Sequence, residues 1–336
     1  MFLSTCDSVD YHSLLLREAQ WPISLDADAV EDMELSEKER EKEKEKKRKQ
    51  ELDPLATNGE TRGLLGKSCP IFRLHGNVPQ KARQSIFQEF SAAKSGVLLC
   101  TDVAARGLDL PSIDWILQYD PPCETTDYVH RCGRTARRGK GGNALLFVLP
   151  SETEYVKLLQ SHGLQPEALS LQSLFKSATV HVPGAAKFKN EEEMAAVILQ
   201  RRFERTVDGI QPLLLAARQA FRSHVRAYAT HSADTKGIFR VHSLHLGHVA
   251  KSFALKESPK TLSSGAGEDV LGKIFNGIYA VKVDVAAFGN SGRGEVGSAQ
   301  VSLNLDLRGL FSMYWWYLVS YKVVHYIALI FFYHNL

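Results

Sequence analysis

Four short apolar runs are spaced along residues 69–165 and are separated by segments with helical periodicity. The runs are IFRLH (71–75), VLLCT (97–101), WILQY (115–119) and ALLFVL (144–149). Continuous apolar runs of this length are typical of strands that are buried on both faces. Strands that alternate with helices predict a parallel sheet covered by helices. We therefore expect an α/β domain whose polar loops gather at the carboxyl ends of the strands.

The segments that flank these runs carry helix signals. In PQKARQSIFQEF (79–90) the apolar residues Ala82, Ile86 and Phe90 recur at four-residue spacing, which places them on one face of a helix. At the amino-terminal end, MFLSTCDSVDY (1–11) has the pattern of a strand followed by the start of a helix. Both segments extend the alternation of strands and helices.

A further helical segment follows the last apolar run. SETEYVKLLQSHG (151–163) begins with Ser151 and has Glu154 three residues later, which is the spacing of a capping box. Gly163 ends the segment with a residue that adopts the left-handed conformation of a helix C-terminus without strain. We expect a helix bounded by these two signals.

Residues 190–255 change to a purely helical pattern. Asn190 with Glu193 offers a helix start, and Gly209 with Pro212 divides the segment into two helices. The apolar stripe of the first helix contains Ala195, Leu199, Phe203 and Val207, and that of the second contains Leu214, Ala217, Phe221, Val225 and Tyr228.

Charge is concentrated in local clusters, although the formal net charge of the 336 residues is only +3. EKEREKEKEKKRKQ (37–50) mixes both signs within residues 21–68, which predicts a charged surface insertion into the α/β domain. Arg218, Arg222 and Arg226 line one face of the second helix of the later segment. There they either contact phosphate or form a solvated surface.

The five cysteines stand at positions 6, 69, 100, 123 and 132. Their number is odd and no C-x-x-C pair occurs, which argues against a disulfide framework or a zinc knuckle and favours a reducing compartment. The amino-terminal end also lacks the basic start and apolar run of a signal peptide. Because its first residues read as the middle of a pattern, we expect the chain to be a piece of a longer protein.

The C-terminal part of the chain has a different character. Residues 262–308 are rich in Gly and Ser and show no clear period, which predicts an irregular tail. The final stretch, 309–336, is apolar and long enough to cross a bilayer. Lys322 and His325 interrupt it near its middle, where a charged side chain is costly. We therefore expect an atypical C-terminal end rather than a membrane anchor.

Two polar loops carry candidate chemistry. TDVAARGLD (101–109) follows directly on a predicted strand, so that Thr101 and Asp102 can contact phosphate and Asp109 can accept hydrogen bonds from a ribose. HRCGRTARRG (130–139) contains four arginines, whose guanidinium groups bind phosphate in bidentate pairs. An enzyme that cleaves a γ-phosphate needs such an arginine in the transition state. Taken alone, however, the first loop is ordinary, and the second fits a basic surface helix equally well.

Together the two loops are far more specific than either alone. TDVAARGLD resembles motif V of the DEAD-box RNA helicases, and HRCGRTARRG resembles their motif VI, H-R-x-G-R-x-x-R. RLHGNVPQKARQSIFQEF (73–90) is similar to the family's stretch between motifs IV and V, including a Q-x-x-R element at Gln80 and Arg83. Residues 1–11 resemble the motif IV strand, so that all four segments occur in family order.

The resemblance implies a domain organisation. Residues 1–20 and 69–165 would form the helicase C-terminal domain, a RecA-like parallel sheet between helices, and residues 21–68 would be a charged low-complexity insertion. Residues 185–260 would form a mostly helical C-terminal extension. Residues 262–336 would be an irregular tail that ends in the hydrophobic stretch.

The resemblance also implies roles for individual residues. Arg134 and Arg137 would be catalytic arginine fingers on the γ-phosphate of ATP, and Asp109 would complete the ATP site at the ribose. His130 and Arg131 would couple the two core domains of the family. The RNA backbone would be contacted, largely without regard to base sequence, by Gly76, Gln80, Arg83, Thr101 and Asp102.

The region after the domain narrows the resemblance. QAFRSHVRAYATH (219–231) and IFRVHSLHLGHVAKSFAL (238–255) are similar to an extension found in a subgroup of these helicases. That subgroup acts in the nucleolus on precursors of the large ribosomal subunit, which implies pre-ribosomal RNA as the partner and the nucleus and nucleolus as the location. His242, His245 and His248 have a three-residue spacing in this region. Because no carboxylate or cysteine joins them, we expect packing or RNA contact and no metal site.

The chemistry of the family also needs a first RecA-like domain, with a phosphate loop and a D-E-A-D magnesium site. No D-E-A-D occurs in the sequence. The nearest phosphate-loop candidate, TRGLLGKS (61–68), has Thr61 where the pattern needs glycine and precedes a strand instead of a helix, so we reject it. We therefore expect ATP turnover and Mg²⁺ binding to require a first domain that this chain lacks, and the isolated chain to be inactive.

Three functional hypotheses remain open at this point. In the first, the chain is the second core domain and extension of an ATP-dependent RNA helicase. In the second, it is a non-catalytic module for RNA binding or assembly. In the third, it belongs to a DNA helicase of the same superfamily, although the wording of motif V and the C-terminal extension both favour RNA.

Overall fold

The computed structural model describes residues 1–21, 63–65, 69–104, 113–135, 142–169, 182, 191–257 and 279–284. Several predicted features lie outside the described residues: most of the 21–68 insertion, Asp109, Arg137, the helix start at Asn190 and the apolar stretch 309–336. Within the described ranges, no helix is both long and apolar enough to cross a membrane.

Four strands coincide with the predicted apolar runs. They are β1 (Ile71–Leu74), β2 (Val97–Cys100), β3 (Trp115–Gln118) and β4 (Asn143–Val148). β1 pairs in parallel with β2, and β3 pairs in parallel with β4. Apart from the first residue of β2, β3 and β4, all of their residues are buried. The prediction of a parallel sheet with both faces covered is therefore confirmed.

The first three residues join the two strand pairs into one sheet. The Phe2 N–H donates to the Leu117 carbonyl at 2.7 Å, and the Cys100 N–H donates to the Met1 carbonyl at 3.0 Å. Phe2 forms parallel bridges with both Cys100 and Gln118. The amino-terminal segment is thus extended, as its strand pattern predicts, and it lies between β2 and β3.

Two further strands extend the sheet beyond β4. β5 (Glu167–Leu169) and β6 (Tyr279–Asp284) pair antiparallel with each other, and β6 also pairs antiparallel with β4. The order in this part of the sheet is β3-β4-β6-β5. The expectation that residues 262–308 are irregular is wrong for the six residues of β6. Pairing with β4 and β5, rather than a local period in the sequence, holds this segment extended.

Four helices belong to the α/β domain: α1 (Cys6–Glu18), α2 (Gln80–Ala92), α3 (Thr125–Cys132) and α4 (Thr153–Ser161). The Thr5 hydroxyl caps α1 by accepting a hydrogen bond from the Ser8 N–H at 3.1 Å. In α2, Ile86 is buried, and Ala82 and Phe90 pack against the core, which confirms the predicted apolar face.

The start of α4 differs from the predicted capping box of Ser151 and Glu154. The helix begins at Thr153, and the carboxylate that reaches back is that of Glu152, which accepts a hydrogen bond from the Leu149 N–H at 2.8 Å. The predicted capping pair is therefore wrong.

A tertiary contact explains the displaced cap. The Glu152 side chain is buried and also accepts a hydrogen bond from the Tyr228 hydroxyl at 2.7 Å. A buried carboxylate needs several donors, and Glu152 finds them in the backbone before α4 and in the C-terminal helices. The predicted end of α4 at Gly163 is confirmed, since this residue has a φ of 79°.

The C-terminal region is helical, as predicted. It contains α5 (Glu191–Gly209), α6 (Gln211–Tyr228), the one-turn helix α7 (Ala233–Lys236) and α8 (Leu246–Ser252). Ile210 separates α5 from α6. Pro212 lies in the first turn of α6, where its missing N–H costs nothing. The predicted stripe of α5 is confirmed because Ala195, Leu199, Phe203 and Val207 are all buried.

The helical region packs directly on the α/β domain. The Tyr11 hydroxyl of α1 donates to the Phe253 carbonyl at 2.7 Å in a buried position. The Thr235 hydroxyl of α7 donates to the Cys123 carbonyl, just before α3, at 3.0 Å. These contacts fix the extension against α1 and against the segment that leads into α3.

Candidate functional site

A buried arginine connects the loops that follow β2 and β3. Arg131 lies on α3, and its side chain is 1% exposed. Its Nε atom donates to Asp102 Oδ1 at 2.6 Å, and a terminal nitrogen donates to Asp102 Oδ2 at 2.9 Å. The other terminal nitrogen donates to the Asp120 carbonyl at 2.8 Å and to Gln118 Oε1 at 3.4 Å. One guanidinium thus holds three segments together at one edge of the sheet.

The environment of Arg131 keeps its charge in place. Burial acts to lower the pKa of the guanidinium, but hydrogen bonds and attraction from Asp102 outweigh burial and raise the pKa. The guanidinium carbon also lies 5.1 Å from the centre of the Phe2 ring, within the range of a cation–π contact. Without the Asp102 carboxylate, the guanidinium would be an uncompensated buried charge, which is costly. Because Asp102 lies in the loop after β2, this cost holds the loop in place.

His130 and Arg134 lie on the outer side of the same segment. The His130 side chain is 53% exposed, and its Nδ1 is 3.8 Å from Asp127 Oδ1. α3 ends at Cys132, and beyond it the Nε of the half-buried Arg134 donates to the His130 carbonyl at 3.2 Å. Arg131 therefore points into the domain, while His130 and Arg134 remain accessible at its surface.

The structure brings together most of the predicted site residues of this edge. Thr101 and Asp102 follow β2 directly, and Asp102 meets Arg131 of α3. Arg134 stands one turn beyond His130. The two remaining predicted ligands of ATP, Asp109 and Arg137, lie outside the described residues, so their placement remains a prediction.

The loop after β1 is held by Arg83. Its Nε donates to the Val78 carbonyl at 2.7 Å, and a terminal nitrogen donates to the Gly76 carbonyl at 2.5 Å. Gly76 and Gln80 are exposed on this loop and at the start of α2. Thr101 lies at the end of the neighbouring strand, where its N–H donates to the Leu74 carbonyl at 3.3 Å. Gly76, Thr101 and Asp102 therefore follow the carboxyl ends of two adjacent strands, and Gln80 and Arg83 lie in the first turn of α2.

Sequence reasoning missed a second polar cluster beside this loop. Asp10 of α1 forms an ion pair with Arg73 of β1, and its Oδ1 is 3.1 Å from His75 Nε2. Cys6 lies one turn before Asp10 and interacts with the same imidazole. Two sequence signals point to this cluster: the four-residue spacing of Cys6 and Asp10 on a helix, and the two-residue spacing of Arg73 and His75 at a strand.

A third group connects the extension to the end of β3. His224 of α6 has its Nδ1 3.7 Å from Asp120 Oδ1 and 3.4 Å from the Ser4 hydroxyl, and the Ser4 N–H donates to Asp120 Oδ2 at 2.9 Å. Asp120 also supplies the carbonyl that accepts from Arg131. The site and the extension therefore share a residue, which sequence reasoning did not detect.

One of the three histidines near α8 has a structural role. His245 caps the helix because its Nδ1 accepts a hydrogen bond from the His248 N–H at 3.2 Å. Burial, together with the nearby His245 and Lys251, lowers the pKa of His248 to about 4. His242 is exposed. In the described part of the chain, no group of three His, Cys, Asp or Glu residues could hold a metal ion.

The basic face of α6 is partly neutralised. Arg218 forms an ion pair with Glu257, in which its Nε is 3.1 Å from each carboxylate oxygen. A terminal nitrogen of Arg222 donates to Gln219 Oε1 at 3.0 Å, and Arg226 is exposed. The two alternatives for this face were phosphate contact and a solvated surface. The ion pair favours a solvated surface at Arg218, and both alternatives still apply to Arg222 and Arg226.

Two stretches of the chain match known domain families. Residues 46–139 match the helicase conserved C-terminal domain. Residues 212–261 match the family described as ATP-dependent rRNA helicase SPB4-like, C-terminal extension. The two matches follow one another in the order that the motifs predict, and they confirm the resemblance and the RecA-like fold class.

Three curated proteins illustrate the relatives. DEAD-box ATP-dependent RNA helicase 17 of Oryza sativa subsp. japonica is 42% identical over 265 residues, which cover 78% of this chain and 40% of the relative. ATP-dependent RNA helicase dbp7 of Schizosaccharomyces pombe is 40% identical over 273 residues, which cover 78% of this chain and 35% of the relative. ATP-dependent DNA helicase DDX31 of Homo sapiens is 43% identical over 208 residues, which cover 58% of this chain and 24% of the relative. The chain therefore spans less than half the length of each.

Proposed function

Because the chain carries the helicase conserved C-terminal domain and the SPB4-like extension, and its relatives include DEAD-box RNA helicases, we propose that it forms one half of an ATP-dependent RNA helicase. The other half is a first RecA-like domain with the phosphate loop and the magnesium site. ATP binds between the two halves, and Mg²⁺ enters through the first. ATP supplies the γ-phosphate whose cleavage drives the remodelling of RNA.

The observation that carries this proposal is the pair between Arg131 and Asp102. It joins the loop that resembles motif V to the helix that resembles motif VI, through two hydrogen bonds of 2.6 and 2.9 Å. The Arg131 side chain of this pair is almost wholly buried, with an exposed fraction of 1%. Arg131 is thus a positioning residue in this proposal: it couples the core domains by fixing the loop and helix that meet the first domain.

The exposed side of the same segment fits a polyphosphate. His130 and Arg134 lie at the surface beside the buried pair, and the resemblance adds Arg137 and Asp109 to this set. Guanidinium groups stabilise charge on a phosphoryl group in the transition state, so Arg134 and Arg137 are proposed as catalytic. The Asp109 carboxylate is proposed to accept a hydrogen bond from the ribose.

The second surface in the proposal binds RNA. Arg83 stabilises the loop from Gly76 to Val78 through two hydrogen bonds, and this leaves Gly76 and Gln80 exposed next to the end of β2. Backbone groups and polar side chains at such a loop suit the sugar-phosphate chain, which carries no base sequence. Thr101 and Asp102 complete this surface.

The extension narrows the proposed substrate. The matching extension family is that of an ATP-dependent rRNA helicase, which supports pre-ribosomal RNA as the partner and the nucleolus as the place of action. One relative is named as a DNA helicase, and this observation favours DNA as a second candidate. Competition between RNA and DNA of the same length at one salt concentration separates the two, because phosphate contacts alone do not discriminate between them.

The test of the proposal is RNA-stimulated ATP hydrolysis. The 336-residue chain is measured alone and together with a separately expressed first RecA-like domain of a DEAD-box RNA helicase. We expect turnover only in the mixture, and a loss of at least about 10²-fold with Arg134→Ala or Arg137→Ala. Arg201→Ala, at an exposed position on α5, is the matched control and should leave the rate unchanged.

Two outcomes contradict the proposal in different ways. Robust turnover by the chain alone, abolished by Arg137→Ala, would show that the ATP site is not divided between two domains. RNA binding without any turnover in the mixture would favour the second hypothesis, a non-catalytic module for RNA binding or assembly.

A further inference from the structure

Cys6 occupies an unusual position among the cysteines of this chain. It is the first residue of α1, a helix of 13 residues, and it is only partly buried. The N-terminus of a helix carries a partial positive charge that favours a thiolate. The remaining question is whether a second group acts on the same sulfur.

His75 is that second group. Its side chain is 4% exposed, and its Nε2 lies 3.1 Å from Asp10 Oδ1, which orients the ring. The opposite atom, Nδ1, is buried and has no hydrogen-bond partner of regular geometry among the described residues. A buried ring nitrogen without a regular hydrogen bond is costly, and besides Asp10 the group that interacts with this ring is the Cys6 thiol.

The charges of the cluster balance when Cys6 is a thiolate. Arg73 and a protonated His75 supply two positive charges, and Asp10 and the Cys6 sulfur supply two negative ones. Asp7, which follows Cys6 on α1, is engaged by the amide of Gln219 at 3.5 Å. The neutral balance removes the main cost of burying the imidazolium.

The pKa values follow from these contacts. The nearby His75 imidazole lowers the pKa of Cys6 against the opposing effect of burial, and the Asn77 and Gly76 N–H groups lower it further. Burial acts to lower the pKa of His75, but Asp10 and Cys6 outweigh it and raise the pKa to about 9. At neutral pH His75 is therefore protonated, and its positive charge favours the thiolate form of Cys6.

The other four cysteines provide an internal comparison. Cys69, Cys100 and Cys132 are buried, and burial raises their pKa to about 11, about 11 and about 12. Cys123 is only partly buried, as Cys6 is, but burial and the nearby Asp102 raise its pKa as well. Cys123 is therefore a partly buried thiol whose surroundings disfavour the thiolate.

We propose that Cys6, oriented by the His75–Asp10 pair, is a reactive thiolate and a site of covalent modification by hydroperoxides and small uncharged electrophiles. With hydrogen peroxide, the sulfur attacks one oxygen, an S–O bond forms and the O–O bond breaks. The sulfur loses two electrons, and the peroxide gains them. The second oxygen leaves as hydroxide, which takes a proton from the His75 imidazolium or from solvent to become water. The product is a sulfenic acid at Cys6.

The first test uses the unaltered 336-residue chain. Alkylation by iodoacetamide is followed from pH 6 to 9, and the modified cysteines are identified by peptide mass spectrometry. We expect Cys6 to react about tenfold or more faster than Cys123 at pH 7, with a rate that levels off below the ordinary thiol pKa of about 8.5. If the two rates rise in parallel up to pH 9, Cys6 is an ordinary thiol and the proposal is overturned.

The second test uses variants and the oxidant itself. His75→Gln and Asp10→Asn should each move the Cys6 alkylation profile to higher pH and leave the Cys123 profile unchanged. Hydrogen peroxide followed by dimedone should label Cys6 and not Cys123, and the label should disappear in Cys6→Ser. Equal labelling of both cysteines, or labelling of Cys123 alone, overturns the proposal. If a variant does not fold, as judged by circular dichroism, the profile of the unaltered chain decides.

Discussion

The guanidinium of Arg131 and the carboxylate of Asp102 form a two-point pair across a separation of 29 residues in the chain. The arginine is withdrawn from solvent, whereas the aspartate side chain is 34% exposed. The partly solvated carboxylate thus neutralises a fully buried cation, and it does so at the place where the loop after β2 meets α3. Stability and site geometry depend on the same contact.

Asp102→Asn tests this coupling. The amide keeps the size of the side chain but leaves the buried guanidinium without a counter-charge, so the free energy of unfolding should fall by about 3 kcal/mol. The measurement is the free energy of unfolding from urea titrations, and the slope of that free energy against urea concentration should stay unchanged. Asp114→Asn, on an exposed position just before β3, is the control and should have no effect. Equal stability of Asp102→Asn and the unaltered chain would show that the pair contributes nothing.

Two buried tyrosines should respond in opposite ways to the loss of their hydroxyl groups. The Tyr11 hydroxyl donates to the Phe253 carbonyl at 2.7 Å and ties the extension to α1. Tyr11→Phe should therefore reduce the free energy of unfolding by about 1–3 kcal/mol, because a buried carbonyl loses its donor.

The matched change for this prediction is Tyr155→Phe. The buried Tyr155 hydroxyl has no hydrogen-bond partner among the described residues, so its removal should be neutral or stabilising. Both variants are compared by urea unfolding. A larger loss for Tyr155→Phe than for Tyr11→Phe would contradict the assignment of the two hydroxyls.

The stability of the protein should decrease in mildly acidic solution because of His231. Burial lowers the pKa of this histidine from 6.5 to about 4, and its ring stacks on Phe239 at 4.0 Å. The unfolded state binds the proton more readily than the folded state does. The contribution of neutral His231 to the free energy of unfolding is therefore complete above pH 6.5. It is lost as the pH falls towards 4, by up to about 3 kcal/mol. His248, whose pKa is also lowered to about 4, adds in the same direction.

The measurement is the thermal midpoint between pH 4 and 7. His231→Phe keeps an aromatic ring against Phe239 and removes the titrating group, so its midpoint should fall less steeply with acid than that of the unaltered chain. His242→Phe alters an exposed histidine and serves as the control. An identical acid dependence in all three proteins would be inconsistent with a neutral, buried His231.

Arg83→Ala should weaken RNA binding in a way that depends on salt. The arginine stabilises the Gly76–Val78 loop, and the proposal also places it along the RNA backbone. A lost phosphate contact reduces the slope of log affinity against log salt by about 1. The control is Lys94→Ala, which removes an exposed positive charge beyond the far end of α2. A weaker affinity with an unchanged slope would limit Arg83 to holding the loop.

The strands and most helices were predictable because the signals for them are local. β1 to β4 are buried on both faces, and such strands are visible as short apolar runs. β6 was not predictable in this way because pairing with β4 and β5 holds it extended. The capping carboxylate of α4 was predicted at Glu154 but belongs to Glu152 for a similar reason, since Glu152 accepts a hydrogen bond from Tyr228 of the extension.

The candidate site divides along the same line. The types and spacing of residues in the two motifs predicted a phosphate-binding edge and the order of its parts, because helicase motifs are continuous in the sequence. The regular spacing of Arg131 and Arg134 did not predict that one is buried and the other accessible. That difference arises because α3 ends at Cys132 and because Asp102 lies where it can neutralise Arg131.

The sequence by itself determined most of the helices and strands, the domain family and the chemical character of the loops, since each of these depends on residues close together in the chain. Only the tertiary structure decided which charges are paired, which thiol has a buried imidazole beside it and how the extension is attached. The physical reason is that burial and pairing are properties of contacts between distant segments. Arg131 with Asp102, Cys6 with His75, and Tyr11 with Phe253 are each neighbours only after folding.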